Sequence, residues 1–234
     1  MKILNLYANI GGNRKHWGDD HEITAVEIDP KIAAVYQEFF PNDQVIVGDA
    51  HQYLLDHFHE YDFIWSSPPC PTHSRINQAN ALNPYKDNAK QLAHGGGIPM
   101  RYPDMKLYQE IILLKHFHCG LWCIENVVSY YDPLIAPILF GSHYFWTNFY
   151  FPVQQNQKYI NRKIGGKNHI TSKELAEDRG YDIDFLKTKG INVRLALRDV
   201  TESQLGEHIL KCVLIEYQKR TIPDIQITQH GQLF

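Results

Sequence analysis

One cysteine stands where a nucleophile could be held. Residues 61–65 are apolar apart from Asp62 and predict a strand, and Ser66-Ser67-Pro68-Pro69-Cys70 follows directly. Because consecutive prolines restrict the backbone, this turn would hold Cys70 at the carboxyl edge of a sheet, where open α/β sheets bind ligands. A thiolate there could attack an electrophilic carbon, and a nearby cation such as Arg75 or His73 would favour its ionisation. The alternative is that Cys70 is a small buried hydrophobic residue.

A carboxylate ends a second apolar run. Residues 121–125 predict a strand that finishes at Glu125, with Asn126 and Val127 after it. A carboxyl group in such a place is partly desolvated, which suits proton sharing with a substrate. The alternative is a buried acid satisfied by backbone amides.

Three further strand ends carry glycine or carboxylate groups. Residues 9–12 (Asn-Ile-Gly-Gly) follow the first predicted strand, Glu27 ends the second and Asp49 ends the third. A glycine turn lets the backbone approach a ligand, and an acidic residue after the next strand can bind ribose hydroxyls. These groups outline an adenosine-sized pocket. Each also has a structural alternative, since Gly-Gly is often only a turn, and Asp29 or Asp49 could cap a helix.

The elements that position these groups alternate along the chain. The patterns predict strands at residues 3–7, 22–28, 44–47, 63–66 and 121–125, and helices at 13–17, 30–40, 52–58, 103–118 and 202–220. Strand–helix alternation is typical of an α/β fold with a mostly parallel sheet and helices on both faces.

Composition narrows the class of protein. The chain has 234 residues, 44% of them hydrophobic, and no apolar run approaches the roughly 18 residues of a membrane span. The N-terminus lacks a signal-peptide pattern, so we expect a cytoplasmic protein. The four cysteines and thirteen histidines show no metal-site spacing, and we expect no metal. We interpret Cys119, Cys123 and Cys212 as packing residues.

The net charge of −3 does not favour a nucleic-acid-binding protein. Phosphate binding would need a local basic surface. Residues 158–173 are the one clearly basic segment, with Lys158, Arg162, Lys163, Lys167 and Lys173 and no acidic residue. A long polar stretch at residues 71–100 is typical of a functional loop.

Taken in order, the motifs resemble those of the cytosine-C5 DNA methyltransferases, of the compact phage or bacterial type. Residues 5–12 are similar to the first cofactor motif of that family, and residues 27–29 and 48–49 to the second and third. Pro68-Pro69-Cys70 with Ser74 resembles the catalytic motif, and residues 125–127 match its Glu-Asn-Val motif. Residues 144–149 and 194–210 resemble later segments of compact members.

The resemblance implies a Rossmann-like S-adenosylmethionine-dependent methyltransferase fold with a small recognition lobe. Residues 1–150 would form the catalytic and cofactor domain and 151–193 the target-recognition segment. Residues 194–220 would return to the catalytic domain, and 221–234 would be a tail. The implied cofactor is S-adenosylmethionine, bound by Tyr7, Ala8, Asn9, Ile10, Gly11, Gly12, Glu27, Ile28, Asp49, Ala50 and Pro69.

The implied reaction is methylation of C5 of a cytosine flipped out of double-stranded DNA. The implied catalytic residues are Cys70, Glu125, Ser74 and His143, and the implied DNA contacts are Arg75, Lys158, Arg162, Lys163 and Lys167. Cys70 would attack ring C6, while Glu125 would hold the N3/N4 edge. Such a protein would act as a monomer in the cytoplasm of a bacterium or of a phage host, in some cases beside a cognate restriction endonuclease.

Three positions depart from the family pattern. Asn9 stands where glycine is frequent, Asp199 where asparagine is common, and Gly141, Ser142 and His143 where an arginine usually helps to hold the base. These departures keep two alternatives open. One is a cytosine methyltransferase that acts on RNA, and the other is a catalytically silent subunit that binds S-adenosylmethionine or DNA.

Overall fold

The computed structural model describes residues 1–75, 102–152 and 170–221. Its strands form one mixed sheet in the order β3-β2-β1-β4-β5-β7-β6. They are β1 (Lys2–Leu6), β2 (Glu22–Glu27), β3 (Gln44–Val47), β4 (Phe63–Ser66), β5 (Leu121–Val127), β6 (Ile138–Phe140) and β7 (His143–Thr147). The first five pair in parallel, and β7 runs antiparallel between β5 and β6.

The helices of the described residues include the four predicted at 30–40, 52–58, 103–118 and 202–220, together with three between residues 172 and 198 that were not predicted. They are α1 (Pro30–Phe39), α2 (Ala50–His57), α3 (Lys106–Phe117), α4 (Ser172–Arg179), α5 (Ile183–Lys187), α6 (Val193–Arg198) and α7 (Ser203–Thr221). Two short 3-10 turns occur at Asn13–His16 and Phe58–Glu60. Helices α1 and α2 begin where Asp29 and Asp49 accept hydrogen bonds from the first-turn amides, as capping carboxylates do.

Alternation along the strands divides the core between the two faces of the sheet. Leu4, Leu6 and Ile64 pack on one face with apolar residues of α2 and α3. Ile3 and Phe63 pack on the other face with the apolar side of α7. The predicted α/β fold with helices on both faces is therefore confirmed.

The strand order reverses between β1 and β4. At such a switch point the loops that follow the two strands diverge to opposite faces and leave a crevice at the carboxyl edge. The loop after β1 and the cysteine turn after β4 flank this crevice, so the topology brings together two motifs that lie about 60 residues apart.

Helices α4, α5 and α6 pack with Ile10 and Val35 in a separate apolar cluster. Tyr181 donates a hydrogen bond to the carbonyl of Ile10, and Lys189 pairs with Glu38 on α1. The described part of the predicted recognition segment thus packs against the loop after β1 and against α1. The domain boundaries stay predictions.

Candidate active site

Cys70 lies in a turn at the carboxyl end of β4. Pro68 is buried, Pro69 is exposed and Cys70 is half-buried. The backbone carbonyl of Cys70 accepts hydrogen bonds from the amides of His73 and Ser74, at 3.0 Å each, which closes the turn. The turn therefore presents the cysteine at the crevice, as predicted from the two prolines.

Burial, and after it the negative charges of Asp199 and Glu125, raise the pKa of the Cys70 thiol to about 11. The nearby Arg198 guanidinium acts in the opposite direction. In this state the thiol is therefore protonated at neutral pH. A substrate that changes the balance of charge or solvent around it would change its reactivity.

The cations named from the sequence are directed elsewhere. His73 is buried with its Nδ1 2.5 Å from the Tyr131 hydroxyl, and burial lowers its pKa, so it is neutral at pH 7. The Nε of Arg75 donates to the carbonyl of Ser129 at 2.8 Å. The expectation that His73 or Arg75 supplies the cation for Cys70 is thus replaced by Arg198, which comes from α6.

Glu125 lies inside β5, two residues before its end, and is 8% exposed. Its neighbour Asn126 donates a hydrogen bond from Nδ2 to the carbonyl of Pro68 at 2.9 Å. This bond fastens the carboxylate strand to the cysteine turn. Cys70 and Glu125 therefore lie at one edge of the sheet, close enough for the charge of Glu125 to raise the pKa of the Cys70 thiol.

Two side chains reach the Glu125 carboxylate from distant parts of the chain. His143 lies on β7, opposite Val127 of β5, and its Nε2 is 3.6 Å from Glu125 Oε1. The Thr201 hydroxyl lies 3.5 Å from Oε2. His143 thus stands beside the carboxylate, consistent with its predicted place in the site.

Ser74 lies beside Ser129 in an isolated antiparallel bridge. The amide of Tyr130 also donates to the carbonyl of His73, so the segment after Cys70 is joined to the segment after β5. The catalytic role of Ser74 stays a prediction.

The loop after β1 contains three residues with left-handed backbone. Their φ angles are +56° at Tyr7, +47° at Asn9 and +77° at Gly11. Such angles are uncommon for residues other than glycine, and they occur often at ligand sites. Asparagine tolerates this conformation better than most residues, so the departure at Asn9 is compatible with the turn that glycine would form.

Asn9 and Glu27 fix this loop. The amide of Asn9 donates to Glu27 Oε2 at 2.9 Å, and Asn9 Nδ2 donates to the carbonyl of Ala196 on α6 at 3.0 Å. Glu27 Oε1 also accepts from the amide of Asp29. Each oxygen retains a lone pair for a further donor, such as a ribose hydroxyl.

The two glycines allow close packing against protein. A Cβ on Gly11 would come 2.2 Å from Cε2 of Phe40, and one on Gly12 would come 2.2 Å from the carbonyl oxygen of Thr201. Both positions therefore require glycine for intramolecular reasons, whether or not a ligand approaches.

The remaining predicted cofactor residues lie at the same edge. Ile28 follows β2 and is 70% exposed, although it is apolar. Asp49 is exposed and caps α2, Ala50 is buried, and Lys106 places Nζ 3.5 Å from Asp49 Oδ2. Buried Ala8 and Ile10 form the inner side of the loop after β1.

Four residues near the site were not predicted from the sequence to contribute to it. They are Arg198 and Asp199, whose charges act on Cys70, together with Thr201 and Glu110. Only the resemblance of residues 194–210 to a C-terminal segment of compact family members indicated that the first three belong to a returning segment. Lys158, Arg162, Lys163 and Lys167 lie outside the described residues, as does most of the polar stretch. Cys123 and Cys212 are buried, whereas Cys119 is exposed, because α3 ends at Phe117 and releases it from the core.

Among the residues that the structure describes, no cluster of three or more His, Cys, Asp or Glu could hold a metal ion. None of the described helices has the length and apolar character of a membrane span.

Comparison with known proteins bears on this site. The C-5 cytosine-specific DNA methylase family model matches residues 1–93. This range includes the loop after β1 and the cysteine turn. No curated protein matches the chain.

Solved structures extend the comparison to the fold. The Entamoeba histolytica methyltransferase EhMeth is 10% identical, with 93% of this chain and 98% of that one covered and a TM-score of 0.50. A Spodoptera frugiperda DNMT2 mutant is 27% identical over 54% of this chain and 35% of that one, with a TM-score of 0.33. The chain thus spans about a third of the DNMT2 length.

A methyltransferase from Agrobacterium tumefaciens described as SAM-dependent is 14% identical, covering 56% of this chain and 40% of that one, with a TM-score of 0.35. The fold of this chain is also that of the methyltransferase EhMeth. The resemblance of this chain to the C-5 cytosine-specific DNA methylase family is thereby confirmed, and residues 1–93 carry it.

Proposed function

We propose that this protein transfers a methyl group from S-adenosylmethionine to C5 of cytosine in double-stranded DNA, through a covalent adduct with Cys70. The observation that carries the proposal is the hydrogen bond from Asn126 to the carbonyl of Pro68. It joins the strand of Glu125 to the turn of Cys70, beside the loop that the family model matches.

The described residues are suited to the cofactor. Three left-handed residues shape the loop after β1, Glu27 offers carboxylate oxygens at the end of β2, and Ile28 presents an exposed apolar surface beside them. Carboxylates suit ribose hydroxyls, and an apolar side chain suits the face of an adenine ring. Asp49 and Ala50 would contact its edge. When bound there, S-adenosylmethionine supplies an electrophilic methyl group.

Cys70 is the nucleophile in this proposal. Its sulfur would lose its proton to solvent, form a bond to ring C6 and place electron density on C5. C5 would take the methyl group from the sulfonium, which would leave as a neutral thioether. A water molecule would then accept the C5 proton, and cleavage of the sulfur–C6 bond would restore the aromatic ring and the thiolate. Burial and the negative charges of two carboxylates raise the pKa of Cys70. Binding of the base would therefore have to lower this pKa by offsetting the negative charge of the carboxylates.

Glu125 would bind the N3/N4 edge of the flipped cytosine. Protonation at N3, favoured by this carboxyl group, prevents negative charge from accumulating on the ring during attack. His143 and Thr201 contact the carboxylate and would keep it in the required orientation.

The DNA contacts belong to the same proposal. Arg75 would lie near the base, and Lys158, Arg162, Lys163 and Lys167 would bind phosphates. The enzyme would act as a monomer in the cytoplasm of a bacterium or phage host, as part of a restriction–modification pair where a cognate endonuclease is present.

The test is methyl transfer from labelled S-adenosylmethionine to mixed-sequence duplex DNA, with the wild type, Cys70→Ala and the control Cys119→Ala. We expect label in 5-methylcytosine for the wild type and the control and none for Cys70→Ala. Parallel reactions with structured RNA separate the two nucleic acids. Label in RNA alone would replace DNA by RNA as the substrate.

A silent cofactor-binding subunit is the second candidate, and the raised pKa of Cys70 favours it. It predicts that S-adenosylmethionine binds while neither DNA nor RNA acquires label at any pH from 6 to 10. That result would overturn the enzymatic proposal and retain the cofactor site.

A further inference from the structure

A buried carboxylate lies behind the two loops of the crevice. Glu110 projects from α3 into the sheet, and its side chain is 0% exposed. Buried carboxylates are costly unless they are hydrogen-bonded, so the partners of Glu110 indicate what this position is used for.

The first partner is Tyr7 in the loop after β1. Its hydroxyl donates to Glu110 Oε1 at 2.6 Å. Burial and then the charge of Glu110 raise the pKa of Tyr7 far above its ordinary value, so the hydroxyl keeps its proton and remains a donor. This bond anchors the aromatic residue whose backbone is left-handed. Such a backbone persists where surrounding contacts hold it.

The second partner is Ser66, the last residue of β4. Its hydroxyl donates to Glu110 Oε2 at 2.6 Å. Four residues later the chain reaches Cys70, with Pro68 and Pro69 between them restricting the backbone. The second oxygen therefore holds the start of the cysteine turn.

The third partner is His51 on α2, whose Nδ1 lies 3.0 Å from Glu110 Oε1. The backbone amide of His51 donates a hydrogen bond to Oδ1 of Asp49, which follows β3. Groups at or after the ends of β1, β3 and β4 thus converge on one buried carboxylate.

We propose that Glu110 is a positioning residue that holds the loop after β1 and the cysteine turn after β4 in a fixed relation to each other. It sets the distance between the cofactor and the nucleophile without contacting either. The inference rests on the proposed function, because that function defines its two readouts, cofactor affinity and turnover.

The test removes one hydrogen-bond partner from each of the two Glu110 oxygens in separate variants. Tyr7→Phe removes the bond to the loop after β1, and Ser66→Ala removes the bond to the cysteine turn. We expect Tyr7→Phe to raise the Kd and KM for S-adenosylmethionine about tenfold with kcat nearly unchanged, as the loss of one hydrogen bond to a charged group would do. We expect Ser66→Ala to lower kcat about tenfold with little change in Kd. Glu110→Gln should change both quantities.

Tyr61→Phe is the matched control. It also removes one tyrosine hydroxyl bond, to Tyr53 at 3.0 Å, on the same face of the sheet but away from the crevice. We expect it to lower the melting temperature about as much as Tyr7→Phe and to leave Kd, KM and kcat unchanged.

Two results would overturn the inference. If Tyr7→Phe and Ser66→Ala lower only the melting temperature, as the control does, Glu110 is structural and the proposed function stands. If the wild type binds no S-adenosylmethionine, the inference fails together with the proposed function. Should Glu110→Gln not fold, the two single-partner variants still decide.

Discussion

Cys70 has an electrostatic setting that departs from that of a free thiol. Burial, Asp199 and Glu125 favour the protonated form, and Arg198 favours the thiolate. Arg198 also pairs with Asp199 at 2.8 Å, so the cation and one of the two anions partly cancel. The reactivity of the thiol therefore depends on residues of the C-terminal segment as well as on its own turn.

The first prediction concerns the pH dependence of this thiol. Since its pKa is raised to about 11, alkylation of Cys70 by iodoacetamide should accelerate about tenfold per pH unit from pH 7 to 10 and level off near pH 11. Mass spectrometry of the Cys70 peptide measures it apart from the exposed Cys119.

Charge variants supply the control for that experiment. Asp199→Asn removes a charge that raises the pKa of Cys70, so the plateau should move to lower pH, whereas Arg198→Ala should move it to higher pH. A plateau unaffected by either substitution would contradict the electrostatic account.

His143 offers the second prediction at this scale. Its Nε2 lies 3.6 Å from Glu125, in the region where the family usually has an arginine. We expect His143→Ala to lower kcat about tenfold, because the Glu125 carboxylate loses a side chain that contacts it and restricts its orientation. His143→Arg should retain most of the activity. Single-turnover methylation measures both, and an alanine variant as fast as the wild type would remove His143 from the site.

At the scale of elements, strand β5 and the cysteine turn act as one unit. Parallel pairing aligns Ser66 with Ile124, and the bond from Asn126 to the Pro68 carbonyl continues this alignment beyond the end of β4. The turn cannot form ladder hydrogen bonds through its prolines, so a side chain replaces them.

The third prediction tests that junction. Asn126→Ala leaves the buried carbonyl of Pro68 without this donor and should lower the free energy of unfolding by about 1–3 kcal/mol. It should also lower kcat, since the turn is displaced from Glu125. Urea unfolding and single-turnover rates measure the two effects. Asn148→Ala is the control for stability alone, because it removes a hydrogen bond from the Asn148 side-chain amide to the Gly120 carbonyl at 2.8 Å.

In the molecule as a whole, the C-terminal helix packs against the segment that follows β1. Helix α7 packs against the 3-10 turn at Asn13–His16, and Trp17 Nε1 donates to the carbonyl of Gly206 at 3.1 Å. A Cβ on Gly206 would lie 2.2 Å from the carbonyl oxygen of Asn13. The close approach of α7 to the turn at Asn13–His16 thus depends on a glycine inside a helix.

The fourth prediction follows from that contact. Alanine normally stabilises a helix interior relative to glycine by about 1 kcal/mol, but Gly206→Ala should instead destabilise the protein by about 1–3 kcal/mol, because overpacking outweighs propensity. Thermal unfolding measures the sign. Gly48→Ala, where a Cβ would meet no atom within 4 Å, should be nearly neutral. A more stable Gly206→Ala protein would refute this account.

Local patterns were enough to predict most elements and the edge where they meet. The apolar runs at β1, β4 and β5, the caps of α1 and α2 and the turn before Cys70 are encoded within a few residues of each position. Strand–helix alternation then implies a parallel sheet, and a parallel sheet places its strand ends at one edge. Cys70, Glu125 and the loop after β1 could therefore be grouped from the sequence by itself.

The charges that surround those groups follow from long-range packing and could not be read from local patterns. Arg198, Asp199 and Thr201 approach the site from the far end of the chain, and Glu110 reaches it from inside a helix whose pattern predicts no more than an amphipathic face. Long-range contacts depend on how helices pack on the sheet, which no local spacing specifies. Electrostatic effects on Cys70 and the support of Tyr7 arise from that packing, because interaction between charged groups depends on their distance and burial in the folded chain.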